Sequence, residues 1–294
     1  MGAYYGLGLG LGGAPVPIRG SHLAVGELIE QFPGAAAAYS LRPLRNNASN
    51  VVRVRRESDN AERDFTAQDI TSGEMVNWVG AGNNGFVETW YDQSGNGNHA
   101  TQLVAASQPK IVDGGTLNAD GIDFDGVNDN LLSSSHILSA DDVLSLYTVA
   151  KCDDTSQRGR LVGDLFFNSG GDNGGFGLDI KAANLPTAIA TYGDDGLNSH
   201  FDLADVTQGA IQLFELQLAG GSSDFLINGT VESTISTGMN SEDGGKTLII
   251  GATSSTGDNP FIGNIKEIVI YNSDQTDNRA AIATNINNHY DIYS

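Results

Sequence analysis

The sequence predicts an all-β fold: a two-sheet antiparallel sandwich with an N-terminal extended arm and short peripheral helices. Three observations predict it. Glycine is abundant, 38 of 294 residues, and is accompanied by many Asn, Asp, Ser and Thr. Only 17% of the residues are charged, and Leu, Ile and Val come in short runs. From residue 120 onward those runs alternate with turn residues, the punctuation of many short strands. A chain of this length can bury a sizeable core as one large β unit or two smaller ones.

Residues 1–22 are a Gly/Leu-rich arm that includes Pro15 and Pro17. Glycine loses much conformational freedom on ordering and the arm has little to bury, so alone in water it is expected to be disordered. Tyr4, Tyr5, Leu7, Leu9 and Leu11 are its candidate anchor residues, docked either on other subunits of a homo-oligomer or back on the arm's own domain. The start of the chain lacks the basic residues and continuous apolar run of a signal peptide. No run of eighteen apolar residues exists, so no membrane-spanning helix is expected.

The segment 23–115 should begin with a short amphipathic helix, with Leu23, Leu28, Ile29 and Phe32 near one face and Pro33-Gly34 as its stop. Val51–Arg56 alternates like a strand with arginines on one side. Surface pairing of Arg53, Arg55 and Arg56 with the acids of 58–65 accounts for that pattern. Residues 69–80, with Met75 and Trp78, predict a short helix. Next comes Glu88-Thr89-Trp90-Tyr91-Asp92-Gln93-Ser94-Gly95-Asn96-Gly97-Asn98-His99, two aromatics running into a glycine-punctuated loop. Glycine permits positive φ and Asx side chains cap tight turns, so one fixed loop shape is expected, a hinge between arm and sandwich.

The segment 116–294 reads strand, turn, strand. Strands are expected at 144–151, 160–167, 175–181, 187–192, 211–218, 246–251 and 263–271. Phe225–Val231 is a hairpin turning on Asn228-Gly229. The tail from Asp274 to Tyr290 predicts a terminal helix, with Ala280, Ala281, Ile282 and Ile286 at helical spacing.

Charge narrows the function classes. The net charge is −21. Residues 1–66 carry about +1, from seven Arg and six acids, and the remainder carries −22. An acidic body repels phosphates, so no nucleic-acid partner is expected. The single cysteine, Cys152, excludes an intrachain disulfide and a cysteine-based zinc site. The histidines show no metal-binding spacing. The acidic run Asp120–Asp129, with Asp123, Asp125 and Asp129, has the oxygen donors of a Ca²⁺ site, as do 170–174 and 193–196, without the EF-hand pattern. Calcium is thus the one possible cofactor.

Two resemblances follow. Phe124–Asp129, Leu226–Gly229, Leu248–Gly251, Phe261–Tyr271 and the terminal helix resemble, in order, the concanavalin A-like, laminin-G-like jelly roll. Val87–His99 is similar to a segment of the catalytic domain of arabinofuranosidase B, which shares that fold. The wider run through Ala38–Arg42, Val52–Glu62 and Ser107–Ile111 resembles phage and prophage proteins of tail, fibre or other virion type. These resemblances imply a structural virion protein, a fibre, spike or decoration displaying a jelly roll that binds host-surface glycans, with other virion subunits as partners of the arm. The alternatives are an arabinofuranosidase-like glycoside hydrolase and a free lectin-like module. The resemblance to the hydrolases places an acid in the loop Gly251–Pro260, where only Asp258 is available, and residues 160–192 offer no Glu as nucleophile. The expectation drawn from that is a protein that is not an enzyme. For glycan binding the candidates are Trp90, Tyr91, Asp92, Gln93, Asn96 and His99, with Asn98 beside them. Sugars favour planar polar groups beside an aromatic face. The same residues serve equally as core anchors and as partners for loop amides.

Overall fold

The computed structural model describes residues 27–46, 50–137, 143–164, 176–183, 185–192, 199–202, 206–219, 222–235 and 247–294. The arm, with Tyr4, Tyr5, Leu7, Leu9 and Leu11, lies outside the described residues, as do the acidic stretches 170–174 and 193–196.

The described chain is an all-β antiparallel sandwich with four short helices. Its first part comprises α1 (Leu28–Gln31), β1 (Ala35–Ser40), β2 (Val52–Arg56), β3 (Glu62–Phe65), α2 (Ala67–Thr71), α3 (Glu74–Val79) and β4 (Gly85–Trp90). Short strands follow: β5 (Ala100–Thr101), β6 (Lys110–Asp113), β7 (Thr116–Leu117), β8 (Ile122–Asp125) and β9 (Leu131–His136). The longer ones are β10 (Leu144–Cys152), β11 (Gly159–Asp164), β12 (Phe176–Ala183), β13 (Leu185–Tyr192), β14 (Ser199–Asp202) and β15 (Ile211–Ala219). Then come β16 (Ser222–Ile227), β17 (Thr230–Ile235), β18 (Thr247–Ile250), β19 (Ile262–Tyr271) and α4 (Arg279–Tyr290).

One sheet runs β1–β19–β10–β15–β16–β17. The other runs β3–β2–β4–β5–β9–β18–β11–β12–β13–β14. A bridge, β4–β6–β8–β19, joins them. Segment 23–115 and the jelly roll therefore share one core. Val52, Phe65, Val87 and Trp90 pack in the same cluster as Phe214, Leu216, Ile268 and Ile270.

A second core lies on the outer face of the first sheet. There Tyr147, Val149, Val269 and Tyr271 meet Leu28 and Ile29 of α1 and Ile282, Ala283 and Ile286 of α4. Strand β19 is thus covered on both faces, which is why nearly every residue of 262–271 is buried, Asn264 and Glu267 included. Beneath α4, Glu267 is fully buried and held by Arg42, whose Nε and Nη2 donate at 2.7 and 2.8 Å. Ser40 and Tyr290 hydroxyls donate to the same carboxylate, and the nearby Arg42 guanidinium keeps its pKa lowered against the effect of burial.

Several expectations are corrected. The helix expected from residue 23 is a single turn in the described part, and Ala35–Ala38, a run of good helix formers, is strand. Pairing with β19, and burial of Ala37 in one core and of Ala35 and Ala38 in the other, override alanine's preference for helix. The helix expected over 69–80 is two helices, because Gly73 between them adopts φ +80°. Thr66 and Asp69 form a capping box at the start of α2. Arg53 pairs with Asp64 and Arg56 with Asp59 as expected, but Arg55 goes instead to Gln108 and Asn60. Asn228 and Gly229 both take positive φ, the hairpin turn expected there.

The Trp90–His99 loop is a lock, not a hinge. It lies along the edge of β1 that, among the described residues, has no strand beside it. The Asp92 carboxylate accepts from the N–H of Ala38 at 2.9 Å, and Gln93 N–H donates to Ala38 O at 2.7 Å. Gln93 Nε2 donates to Ser40 O and Arg42 O, while Asn96 and Asn98 side chains donate to Ala36 O. Asp92 also receives the N–H of Ser94 and of Asn98, which folds the loop on itself. Side chains here do what a neighbouring strand's backbone does elsewhere.

Asp92→Ala removes the side-chain acceptor of three buried or part-buried amides. Such hydrogen bonds contribute about 1.5–3 kcal/mol each at most and are not additive, so a loss of about 3 kcal/mol is expected from the shift in urea midpoint at constant slope.

Candidate functional site

The expected glycan groove beside the Trp90 loop is not formed by its leading residues. Trp90 is 0% exposed and presents no ring face to solvent. Asp92, Gln93 and Asn98 are buried and committed to backbone groups of β1 and the loop. Tyr91 is partly exposed, and its hydroxyl donates to Asp64 at 2.8 Å. His99 Nδ1 accepts the N–H of Asp92, and its ring stands edge-on to Tyr91. Asn96 is exposed, yet its amide is anchored on Ala35 O and Ala36 O. Hydrogen bonding of loop amides, the structural alternative, accounts for these residues.

The acidic run 120–129 has a different outcome. A cleft of about 450 Å³ gathers Asp123, Asp125 and Asp129 with Arg55, Glu57, Phe86 and Lys110. Strand register assembles it. Arg55 stands opposite Phe86, Phe86 opposite Lys110, and Lys110 opposite Asp123, so one row crosses four strands. Side chains on directly opposed residues share a face of the sheet.

The loop from Asp125 to Asp129 is fixed by its own polar groups. Asp125 Oδ1 accepts from Val127 N–H at 2.8 Å, and Asp129 Oδ2 accepts from Asp125 N–H at 3.0 Å. Gly126 takes φ +74° with Ile262 against it, where an added Cβ would sit 2.1 Å from Ile262 Cγ1. Asn128 donates to Ser107, and Gln102 donates to Asn130 Oδ1. On the far wall Arg55 donates to Gln108 Oε1 at 2.6 Å, to Asn60 Oδ1 and to Ala105 O, and its guanidinium stacks 4.9 Å from the Phe86 ring centre.

Electrostatics separates these carboxyls. Burial pushes Asp129 up to about 7, and the charges of Asp125 and Asp123 push the same way, against the opposing Asp125 N–H. Burial also raises Asp123, with Lys110 opposing. Lys110 itself is held by Asp113 at 3.0 Å. A carboxyl that keeps its proton near neutrality, beside others it interacts with, is the arrangement by which proteins perform acid–base chemistry. Among the described residues no group of three or more His, Cys, Asp or Glu is arranged to hold a metal ion. The calcium reading of Asp123, Asp125 and Asp129 therefore finds no chelating geometry there.

Asp258, the acid expected in the loop before the last strand, is exposed and accepts from Ser254 Oγ at 2.7 Å. It does not line the cleft, although its loop abuts the acidic one. An added Cβ on Gly257 would lie 2.6 Å from Asn128 Cα. Sequence reading missed Arg55, Glu57, Phe86 and Gln108 as site residues. The available signal was the alternation of β2 and β4, which puts Arg55 and Phe86 on the face away from Val54 and Val87.

No family model matches the sequence, and no curated protein matches it. Solved structures do match. A variant of a GH54 α-L-arabinofuranosidase soaked with 4-nitrophenyl α-L-arabinofuranoside aligns over 88% of this chain and 64% of its own, with TM-score 0.62 and 14% identity. An arabinofuranosidase complexed with arabinofuranosyl-α-1,2-xylobiose aligns over the same shares, with TM-score 0.60 and 15% identity. A Ruminococcus gnavus IT-sialidase CBM40 bound to α2,3-sialyllactose covers 50% of this chain and 83% of its own, with TM-score 0.43 and 19% identity. The chain thus spans a little under two thirds of the length of those arabinofuranosidases. At such identities the likeness establishes the fold, a sandwich of the kind those hydrolases carry. The phage and virion resemblance gains nothing from these comparisons. The expectation that the chain is not an enzyme is corrected by them, because structures of glycoside hydrolases are what aligns with most of its length.

Proposed function

We propose that the chain is a carbohydrate-active protein of the glycoside hydrolase type, acting in the cleft of Asp123, Asp125 and Asp129. One observation carries the proposal. A buried carboxyl with its pKa pushed up to about 7 opens onto a 450 Å³ cleft that other carboxyls share. Glycoside hydrolysis needs a carboxylic acid that protonates the leaving oxygen and a second carboxylate that meets the positive charge developing at the sugar carbon. Asp129 suits the first role. Only its Oδ2 is engaged, by Asp125 N–H, and Oδ1 is left to present the proton. Asp125 and Asp123, which interact electrostatically with it, suit the second.

The walls fit a sugar. Phe86 supplies a flat apolar surface, and Arg55 and Gln108 are planar polar groups fixed by hydrogen bonds. Near the cleft in sequence, Leu103 is 81% exposed, Val104 60% and Val127 69%. Exposed apolar side chains grouped near a polar cleft mark contact surfaces. The arabinofuranosidase structures make a furanoside the first substrate to try.

The expected outcome is release of 4-nitrophenol from 4-nitrophenyl α-L-arabinofuranoside by the full chain, with the rate falling as pH rises through about 7, where Asp129 loses its proton. Asp129→Asn should lower that rate at least a hundredfold. No turnover of this or other aryl glycosides by the folded wild type, or an unchanged rate in Asp129→Asn, sinks the reading.

Protonation of Asp129 also enters stability. Its folded pKa stands above the unfolded value, so its contribution is fully present below about pH 4 and is lost as pH rises to about 7. Relative to wild type, Asp129→Asn should gain on the order of a few kcal/mol in urea stability between those pH values and no more above them.

A further inference from the structure

A second cavity, of about 550 Å³, shares no residue with the acid cleft. It lies between α2, the 117–121 turn, the 41–43 loop, β19 and the end of α4. Its walls are largely apolar, from Leu41, Pro43, Ile70, Leu117 and the ring of Tyr290. In a chain with 36 acids against 15 bases, its lining contains Arg42, Lys266 and His289 and not one carboxylate.

The two cations differ in what they have left to give. Arg42 is paired with Glu267 and gives four of its five N–H groups to Glu267 and Asn285. Among the described residues Lys266 has no carboxylate in contact. Its Nζ donates to the carbonyl of Ala119 at 2.6 Å and stands 5.5 Å from the Tyr290 ring centre. Asp120, the nearest acid acting on it, is held at 2.9 Å by Lys151. A part-buried ammonium with one neutral acceptor keeps two N–H donors and its charge for an incoming group. A cation ligand has no acceptor carboxylate here, and a sugar would leave most of its hydroxyls against apolar wall.

We propose that this cavity binds a small carboxylate carried on a flat apolar body, an arylcarboxylate. The carboxylate pairs with Lys266 Nζ, and the ring lies against Ile70, Leu117 and Tyr290. Cavities of a few hundred Å³ with apolar walls and one or two fixed polar groups have the form of small-molecule sites.

The test is calorimetric titration of the full chain with 4-hydroxycinnamate and, separately, with its primary amide of the same shape. Saturable binding of the acid, at least tenfold tighter than that of the amide, is expected. Lys266→Met should weaken the acid at least tenfold and leave the amide unchanged. Thr71→Trp, at the exposed rim, should weaken both, and unchanged thermal melts establish that each variant is folded. Absence of saturable binding up to millimolar acid, equal binding of acid and amide, or a Lys266→Met variant that binds the acid as wild type does, overturns the proposal.

Discussion

The architecture depends on how the open edge of β1 is closed. An unpaired strand edge exposes a row of N–H and C=O groups that are costly when buried and recruit other chains when exposed. Here the carboxylate of Asp92 and the amides of Gln93, Asn96 and Asn98 take that row. Because Trp90 sits in the core at the head of the loop, the seal is tied to the second sheet as well. One short segment therefore fixes the first sheet's margin and its position over the other sheet.

Charge is arranged on the same economy of burial. Glu267, Glu215 and Asp179 are the deepest carboxylates among the described residues, and each is met by arginine: Glu267 by Arg42, Glu215 by Arg279, Asp179 by Arg158 and Arg160. Asp129 is nearly as enclosed, and among the described residues no cation contacts it. The arginines beside Glu267 and Asp179 hold both carboxyls low despite burial, whereas burial raises Asp129, which no arginine meets, and raises Glu215 even beside Arg279. That contrast separates the structural carboxylates from the candidate one better than sequence position does.

Much of the fold was legible in the sequence, because alternation and turn chemistry are local. The Asn228-Gly229 hairpin, the strands from 144 onward and the terminal helix needed no knowledge of distant residues. Ala35–Ala38 was not legible, since its strand state comes from β19. The Trp90–His99 loop was readable as a fixed shape, but which way its aromatic and amide groups face depends on β1 and not on the loop. The acidic run 120–129 stood out as chemistry, though as cation ligands. Its real neighbours, Arg55, Glu57 and Phe86, arrive through cross-strand register, which no single segment encodes.

The placement of β1 against β19 also sets the order in which the molecule can be completed. Ser40 and its partner Glu267 are 227 positions apart along the chain. At ribosomal rates of roughly 5–20 residues per second, the first strand waits on the order of ten seconds or longer for its companion to be made. During that interval its alanine-rich backbone can be sealed on one side only, by the Asp92 loop. The loop is thus the earliest cover that the strand's backbone can have during synthesis.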